Sequence, residues 1–183
     1  MEDKTFYTLL VYSENLAGIL NQITAVFTRR QVNIESLNVS ASSIPGVHKY
    51  TITAWSNADQ IAKITKQIEK KIDVIKASCY TDDQLFIREV ALYKLSTPIV
   101  LENPVVTRII RQAGGSIMEV NPTYITVMLG GITEDITQLF RELDKHQCVL
   151  QYTRSGRVAV TRSTVEQVTD FLEKQERKHR DGE

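Results

Sequence analysis

Runs of apolar residues divide the chain into strands and helices that occur twice in the same order. Residues 5–12 carry apolar and β-branched side chains on both faces, which is typical of a central strand. Residues 19–30 then place apolar side chains on one helical stripe, formed by Ile19, Leu20, Ile23, Val26 and Phe27. Alternating residues 33–41 and 48–54 flank Pro45-Gly46 and predict a hairpin.

A second helix and a closing strand complete the first repeat. The stretch Ser56-Asn57-Ala58-Asp59 can cap a helix, and Ile61, Ile64 and Ile68 follow at helical spacing. Residues 73–80 alternate again and predict the last strand. The resulting order βαββαβ is the ferredoxin-like arrangement.

The same order follows the polar break at residues 81–84. Asn103 as cap, Pro104 as first helical residue and Gly114 after the end bracket a helix. The other predicted elements are a strand 88–95, a hairpin of 116–120 and 124–129, a helix capped by Thr133, a strand 147–153 and a short apolar run to Val160. We therefore predict an α+β protein with two tandem ferredoxin-like βαββαβ domains, 1–80 and 81–162, followed by a C-terminal helix and tail, 163–183.

Each predicted sheet is antiparallel, with two helices on one face. The bare face or an edge strand must then meet another surface, and this predicts a homodimer.

Composition narrows the function without naming it. Lys+Arg and Asp+Glu number 22 each, so the formal net charge is zero and gives no support to nucleic-acid binding. We expect no secretory signal or membrane span, because no long apolar segment occurs. The chain has 2 cysteines, too few for a disulfide framework, and a cytoplasmic protein is expected.

The first loop, residues 13–18, is the candidate site. It ends in Gly18 at the start of a helix, where backbone N–H groups and the positive end of the helix dipole suit a small carboxylate. No nucleophile or general base lies beside it in the sequence. The residues therefore favour a binding site for a small anion or zwitterion over an active site.

Three segments of the chain resemble a known family. They are Glu14-Asn15-Leu16-Ala17-Gly18-Ile19-Leu20, then Asn33-Ile34-Glu35-Ser36-Leu37, and Arg154-Ser155-Gly156 before the last apolar run. Over roughly residues 5–162 the order and spacing of these motifs resemble the small regulatory subunit of acetolactate (acetohydroxyacid) synthase.

The resemblance implies an N-terminal ACT domain followed by a C-terminal ACT-like domain, without catalysis. It implies binding to the large catalytic subunit of branched-chain amino acid synthesis, activation of that subunit, and feedback inhibition by valine. The effector would lie between two ACT domains of a dimer, at Asn15, Gly18, Ile19 and Leu20, with Asn33 and Ile34 contributed by the second strand. Thiamine diphosphate, Mg and FAD are expected in the catalytic subunit, and no cofactor or metal in this chain.

One departure from the family concerns the helix exit. Many members have Gly-Tyr before the Asn-Ile-Glu-Ser run, whereas this chain has Gln31-Val32. Gln31 must therefore tolerate the turn conformation that the exit requires.

Other functions are compatible with parts of the pattern. A free-standing ACT-type amino-acid sensor would share the site but lack a synthase partner. RNA binding by an RRM-like sheet needs exposed aromatic residues on the middle strands, where Tyr50 and Trp55 are too few. An enzyme needs an acid–base pair, an activated nucleophile or a metal cluster, and none is recognised.

Overall fold

The structure, a computed structural model, describes residues 4–163 and Val168. The chain forms two compact units. Unit 1 comprises the described residues up to Phe86 together with those from Ala159 onward, and unit 2 is Ile87–Val158. The predicted C-terminal helix and tail, 163–183, lie outside the described residues except for Ser163 and Val168. None of the described helices is long and apolar enough to cross a membrane.

Unit 1 is a four-stranded antiparallel sheet with two helices on one face. Its elements are β1 (Thr5–Glu14), α1 (Ile19–Arg29), β2 (Ser36–Ala41), β3 (Val47–Ser56), α2 (Ala58–Glu69) and β4 (Val74–Tyr80). The strand order is β2-β3-β1-β4, so β1 is central, as its apolar faces predict. The two helices bury their isoleucine stripes against Leu9, Val11 and Ile52 of the sheet.

Specific hydrogen bonds define the start of α2 and the end of α1. The Asn57 side chain accepts a hydrogen bond from Gln60 N and caps α2. After α1, Val32 N donates to Phe27 O and Gln31 N to Thr28 O, the pattern of a Schellman motif. Gln31 accordingly has φ 54°, the left-handed conformation that glycine adopts most easily. The expectation that Gln31 tolerates an unusual turn is confirmed.

The face of this sheet opposite the helices is also covered. Leu10 and Tyr12 of β1 point to that face, yet they are only 3% and 6% exposed. The chain returns from Ala159, whose carbonyl accepts a hydrogen bond from Lys49 Nζ at 3.1 Å. The prediction of a bare face on the first sheet is therefore wrong, because residues that are distant in sequence cover it.

Unit 2 repeats the sheet order of unit 1. Its elements are β5 (Leu85–Ser96), α3 (Thr97–Glu102), α4 (Pro104–Gln112), β6 (Ser116–Val120), β7 (Tyr124–Gly131), α5 (Thr133–Asp144) and β8 (Val149–Arg154). The last strand, β9 (Val158–Thr161), falls mostly in unit 1. The order is β6-β7-β5-β8, and β9 pairs with β5. The helices pack on Ala91, Tyr93 and Leu95. The predicted α+β, ferredoxin-like class is confirmed.

Three local predictions differ from the structure. Strand β2 begins at Ser36, because the Schellman turn and a bend occupy residues 30–35. Helix α3 was not predicted, since six residues that include Pro98 carry too little periodicity. Thr133 is the first residue of α5 and not its cap; its hydroxyl donates to Glu89 Oε1 at 2.6 Å.

Candidate functional site

The loop between β1 and α1 is held at both sides by backbone hydrogen bonds. Asn15 N donates to Gly46 O at 2.9 Å, which ties the loop to the β2–β3 turn. Glu14 N donates to Asp73 O at 3.0 Å, just before β4. The sequence gives no signal for either contact, because both depend on the strand register. The loop itself is exposed, but its two attachments fix its position.

Gly18 gives this loop its shape. It caps α1 with φ 91° and ψ −11°, a left-handed conformation that L-residues adopt rarely. A Cβ at this position would meet nothing within 4 Å, so glycine is required by the backbone and not by crowding. The first helical hydrogen bond runs from Gln22 N to Gly18 O at 3.1 Å. The N–H groups of Ile19 and Leu20 precede this ladder and lie at the positive end of the helix.

The side chains next to Gly18 have different environments. Ile19 is 2% exposed and belongs to the core beneath α1. Leu20 is 43% exposed, and Leu16 is 52% exposed. An aliphatic ligand at this helix start would therefore meet Leu16 and Leu20, whereas Ile19 offers its backbone N–H only. Leu16 was not among the predicted site residues.

Asn33 and Ile34 lie in the connection that leads from α1 to β2. Asn33 is exposed, while Ile34 is half-buried and packs against the core of unit 1. The residue after them is fixed by a hydrogen bond from Glu35 N to Thr53 O at 2.8 Å. The prediction that Asn33 and Ile34 come from the second strand is wrong, since β2 starts at Ser36.

Within one chain, the two parts of the predicted site lie at opposite ends of the sheet. Through β3, Ser36 of β2 is level with Thr8 of β1. Asn15 lies beyond Ser13, and Asn33 lies before Ser36, at the other end. The strand from Thr8 to Ser13 alone spans about 17 Å. One amino acid cannot contact Asn15 and Asn33 of the same chain.

No group of three or more His, Cys, Asp or Glu side chains within the described residues is arranged to hold a metal ion. Tyr50 is 3% exposed and is therefore buried where RNA stacking would need an exposed ring. The geometry of unit 1 suits binding of a small zwitterion by backbone groups.

A buried ionic cluster in unit 2 was not predicted. The Glu89 carboxylate is 2% exposed and lies 3.2 Å from Arg154 Nη1 and 3.7 Å from Arg157 Nε. The Ser155 hydroxyl accepts a hydrogen bond from Val90 N at 3.1 Å. The Arg154-Ser155-Gly156-Arg157 turn is thus partly buried and anchored to β5. Buried and exposed residues alternate along β5, and Glu89 falls on a buried position. Sequence reasoning missed the cluster because a glutamate is seldom expected at a buried position.

Comparison with known proteins gives a consistent result across both units. The family described as "AHAS small subunit-like ACT domain" matches residues 9–76, and "Small subunit of acetolactate synthase" matches residues 88–163. The acetolactate synthase small subunit of Bacillus subtilis is 33% identical over 163 residues, covering 88% of this chain and 92% of that protein. The probable acetolactate synthase small subunit of Methanothermobacter thermautotrophicus is 32% identical over 151 residues, covering 82% and 89%.

A solved structure shares the fold of this chain. The acetolactate synthase small subunit from Thermotoga maritima superposes with a TM-score of 0.78 at 23% identity. The match covers 87% of this chain and 99% of that chain.

Proposed function

The chain belongs to the family of acetolactate synthase small subunits, and from this premise we propose that it is a regulatory subunit that binds the catalytic subunit, activates it and transmits feedback inhibition by valine. The observation that carries the proposal is the match of two family segments, in order, to the two units of the fold. The catalytic partner would hold thiamine diphosphate, Mg and FAD. This chain would supply the effector site.

Valine binding is proposed at the β1–α1 loop. The N–H groups of Ile19 and Leu20 would hold the carboxylate at the positive end of α1. The Asn15 side-chain oxygen would accept a hydrogen bond from the ammonium group. The exposed side chain of Leu20 would contact the aliphatic side chain of the ligand.

The separation of Asn15 and Asn33 supports a site shared by two copies of the chain. Strand β2 is an edge of its sheet and has an exposed end at Val39–Ala41. Two copies that pair antiparallel along β2 would place the start of one β2 beside the end of the other. Asn33 and Ile34 of one copy would then approach the Asn15 loop of its partner. A homodimer follows as part of the proposal.

The first experiment measures acetolactate formation by the catalytic subunit from the same source. Addition of this protein should raise the activity several-fold, and added valine should reverse that increase. Complex formation is checked separately by size-exclusion chromatography. Valine binding without complex formation would instead favour a free-standing amino-acid sensor and would contradict the regulatory proposal.

Gly18→Asp tests the loop. A carboxylate placed where the carboxylate of valine should lie would repel the ligand, so we expect the concentration for half-inhibition to rise at least tenfold with activation retained. Gly18→Asn is the matched control, because asparagine has the same shape, tolerates positive φ and carries no charge. Equal loss of valine response in both variants would point to backbone strain and would contradict the proposed carboxylate position.

Mixed dimers test the two-copy arrangement. Gly18→Asp and Asn33→Ala should each lose valine response when assayed alone. If each site combines the loop of one copy with Asn33 of the other, a mixed dimer of the two variants regains one intact site. Partial recovery of valine binding on mixing is therefore expected. No recovery, despite subunit exchange shown by native mass spectrometry, would overturn the two-copy arrangement.

A further inference from the structure

A basic groove lies between α1 and α2, on the helix side of the unit 1 sheet. It has a volume of about 490 Å³, and the buried side chain of Val26 forms part of its lining. Four cationic side chains also line it: Arg29, Arg30, Lys70 and Lys71. Among the described residues that line this groove, none is Asp or Glu.

The corresponding groove of unit 2 has the opposite composition. It lies between α4 and α5, and the carboxylates of Asp135 and Glu142 line it. Among the described residues that line that groove, none is Lys or Arg. The two helix pairs occupy the same place in the repeated fold. The positive charge of the basic groove is therefore a property of the unit 1 side chains and not of the fold.

Hydrogen bonds across the basic groove show how its cations are distributed. Gln60 Nε2 donates to Arg30 O at 2.9 Å, which places the end of α1 beside the first turn of α2. Lys70 and Lys71 come after α2, about 15 Å further along the helix axis at 1.5 Å per residue. Arg30 Nε donates to Gln67 Oε1 at 3.0 Å, so this guanidinium extends along the groove. Positive charge is therefore present at both ends of the groove and between them.

No described carboxylate forms an ion pair with the four cations of the basic groove. Helix α1 contains no Asp or Glu, and the two acidic residues of α2 are Asp59 and Glu69. Asp59 pairs with Lys63, and Glu69 pairs with Lys76 of β4. The groove thus carries a local positive charge, although the formal net charge of the whole chain is zero.

The length and the charge of the groove together indicate its occupant. A groove about 15 Å long exceeds a single phosphate or a free amino acid, whereas an extended peptide of four or five residues covers it at about 3.3 Å per residue. Aspartate and glutamate side chains of such a peptide can pair with arginines and lysines along the groove. An acidic protein segment therefore fits the groove better than a small anion does.

We infer that the basic groove docks an acidic segment of the catalytic subunit, an inference that rests on the regulatory function proposed above. The helix-free face of the unit 1 sheet is covered, and β2 pairs with a second copy in the proposed dimer. The helix side of unit 1 stays open in that arrangement and is free to meet a partner. Attraction between the groove and an acidic surface speeds association and weakens as the salt concentration rises.

Titration calorimetry of the catalytic subunit with the full chain, at low and at high salt, tests this surface. The double variant Arg29→Gln, Lys70→Gln should bind about tenfold more weakly at low salt, and its affinity should depend less on salt. The matched control is the double variant Lys63→Gln, Lys145→Gln, which removes two positive charges from exposed ion pairs outside the groove. The control should bind as tightly as the unaltered chain.

Gln67→Glu gives a test that misfolding cannot imitate. It keeps the size of the side chain and places a carboxylate beside Arg30 Nε, where the amide oxygen lies at 3.0 Å, so that part of the groove charge is neutralised. The variant should bind the catalytic subunit several-fold more weakly, while the Tm of the isolated chain stays the same or rises. A damaged fold would lower both the affinity and the Tm.

The possible outcomes separate this inference from the proposed function. No complex with the unaltered chain would overturn the proposed function and the docking surface with it. A complex that forms with equal affinity in all the groove variants would overturn the docking surface alone. Self-association of the chain that is lost in those variants would assign the basic groove to a second copy, and the inference would again be wrong.

Discussion

The central strands of the two units have the same surroundings on one face and different surroundings on the other. A bulge between Tyr12 and Ser13 in β1 corresponds to one between Lys94 and Leu95 in β5, and this aligns the two strands. Leu10 and Leu92 then occupy the same position. Leu10 is 3% exposed, whereas Leu92 is 41% exposed. A repeated βαββαβ fold therefore fixes the helix side of each sheet but leaves the opposite face free to differ.

The connections that lead from the central strand into the next long helix, α1 in unit 1 and α4 in unit 2, also differ. In unit 1 a short loop with Gly18 leads directly into α1 and leaves the helix start open. In unit 2, α3 fills the corresponding connection, and the Asn103 side chain accepts a hydrogen bond from Val105 N at the start of α4. The helix start that could bind a carboxylate is thus closed in unit 2. The start of α4 therefore offers no equivalent of the loop proposed for the effector.

The largest expected effect concerns Glu89, the buried carboxylate of unit 2. Relative to the bulge, Glu89 occupies the position of Tyr7 in unit 1. Glu89→Ala would remove the buried carboxylate that lies 3.7 Å from Arg157 Nε and 3.2 Å from Arg154 Nη1. We expect the free energy of unfolding of unit 2 to fall by about 3–5 kcal/mol. Hydrogen exchange of β5 and β8 peptides, measured by mass spectrometry, would detect the loss.

Unit 1 provides the control for this prediction. Glu69→Ala removes an exposed ion pair with Lys76 and should cost less than about 1 kcal/mol. The single tryptophan, Trp55, lies on β3 and reports unfolding of unit 1 by fluorescence. If the two substitutions lowered the free energy of unfolding equally, the buried ion pairs of Glu89 would contribute no more to stability than the exposed pair of Glu69.

The leucine pair tests the covered and open faces directly. Leu10→Ala should destabilise unit 1 by about 2–3 kcal/mol, because a buried leucine loses its contacts and leaves a void. Leu92→Ala should cost under about 1 kcal/mol, because its side chain already meets solvent. Urea denaturation, followed by Trp55 fluorescence and by circular dichroism, gives both values.

The same leucine variants can also be compared for their binding to the catalytic subunit. If the partner covers the open face of unit 2, Leu92→Ala would weaken the complex while leaving the isolated chain stable. If both leucine variants have the same stability, the face of the unit 1 sheet that carries Leu10 is open to solvent. That result would contradict the observed burial of Leu10.

The parts of this fold that a sequence predicts are those set by local periodicity. The stripe of Ile61, Ile64 and Ile68 predicts α2, and all three are at most 1% exposed. The cover over Leu10 could not be predicted, because it involves residues far along the chain, such as Thr161 and Val168, that lie near Leu10 only in the folded chain. Helix α3 was missed because its six residues are too few to show a period.

The same holds for the candidate site: its local features could be predicted from the sequence, and its long-range geometry could not. Gly18 could be identified from the sequence because a glycine just before a helix often adopts a backbone conformation that other residues avoid. Its φ of 91° confirms this conformation. The distance between Asn15 and Asn33 could not be predicted from the sequence, since it depends on strand register and not on residue type. Effector binding by these residues stays a prediction, and the mixed-dimer experiment tests it.

The smallest effect concerns alkaline pH and Tyr93 in the unit 2 core. Burial raises the pKa of Tyr93 well above its usual value of 10, with a further contribution from Tyr152, and its hydroxyl donates to Ile136 O at 2.8 Å. The folded state therefore binds this proton more tightly than the unfolded state. Its contribution to stability is complete below pH 10 and is lost as the pH rises toward the folded pKa.

At pH 11 this linkage should cost about 1.4 kcal/mol relative to neutral pH. Urea denaturation followed by circular dichroism should show the decrease, and Tyr93→Phe should show a smaller one, because phenylalanine does not titrate. Tyr93→Phe should be less stable at neutral pH, since Ile136 O loses the Tyr93 hydroxyl as a donor. Identical pH dependence in both proteins would mean that Tyr93 ionises in the folded chain, and the closed packing of the unit 2 core would then need revision.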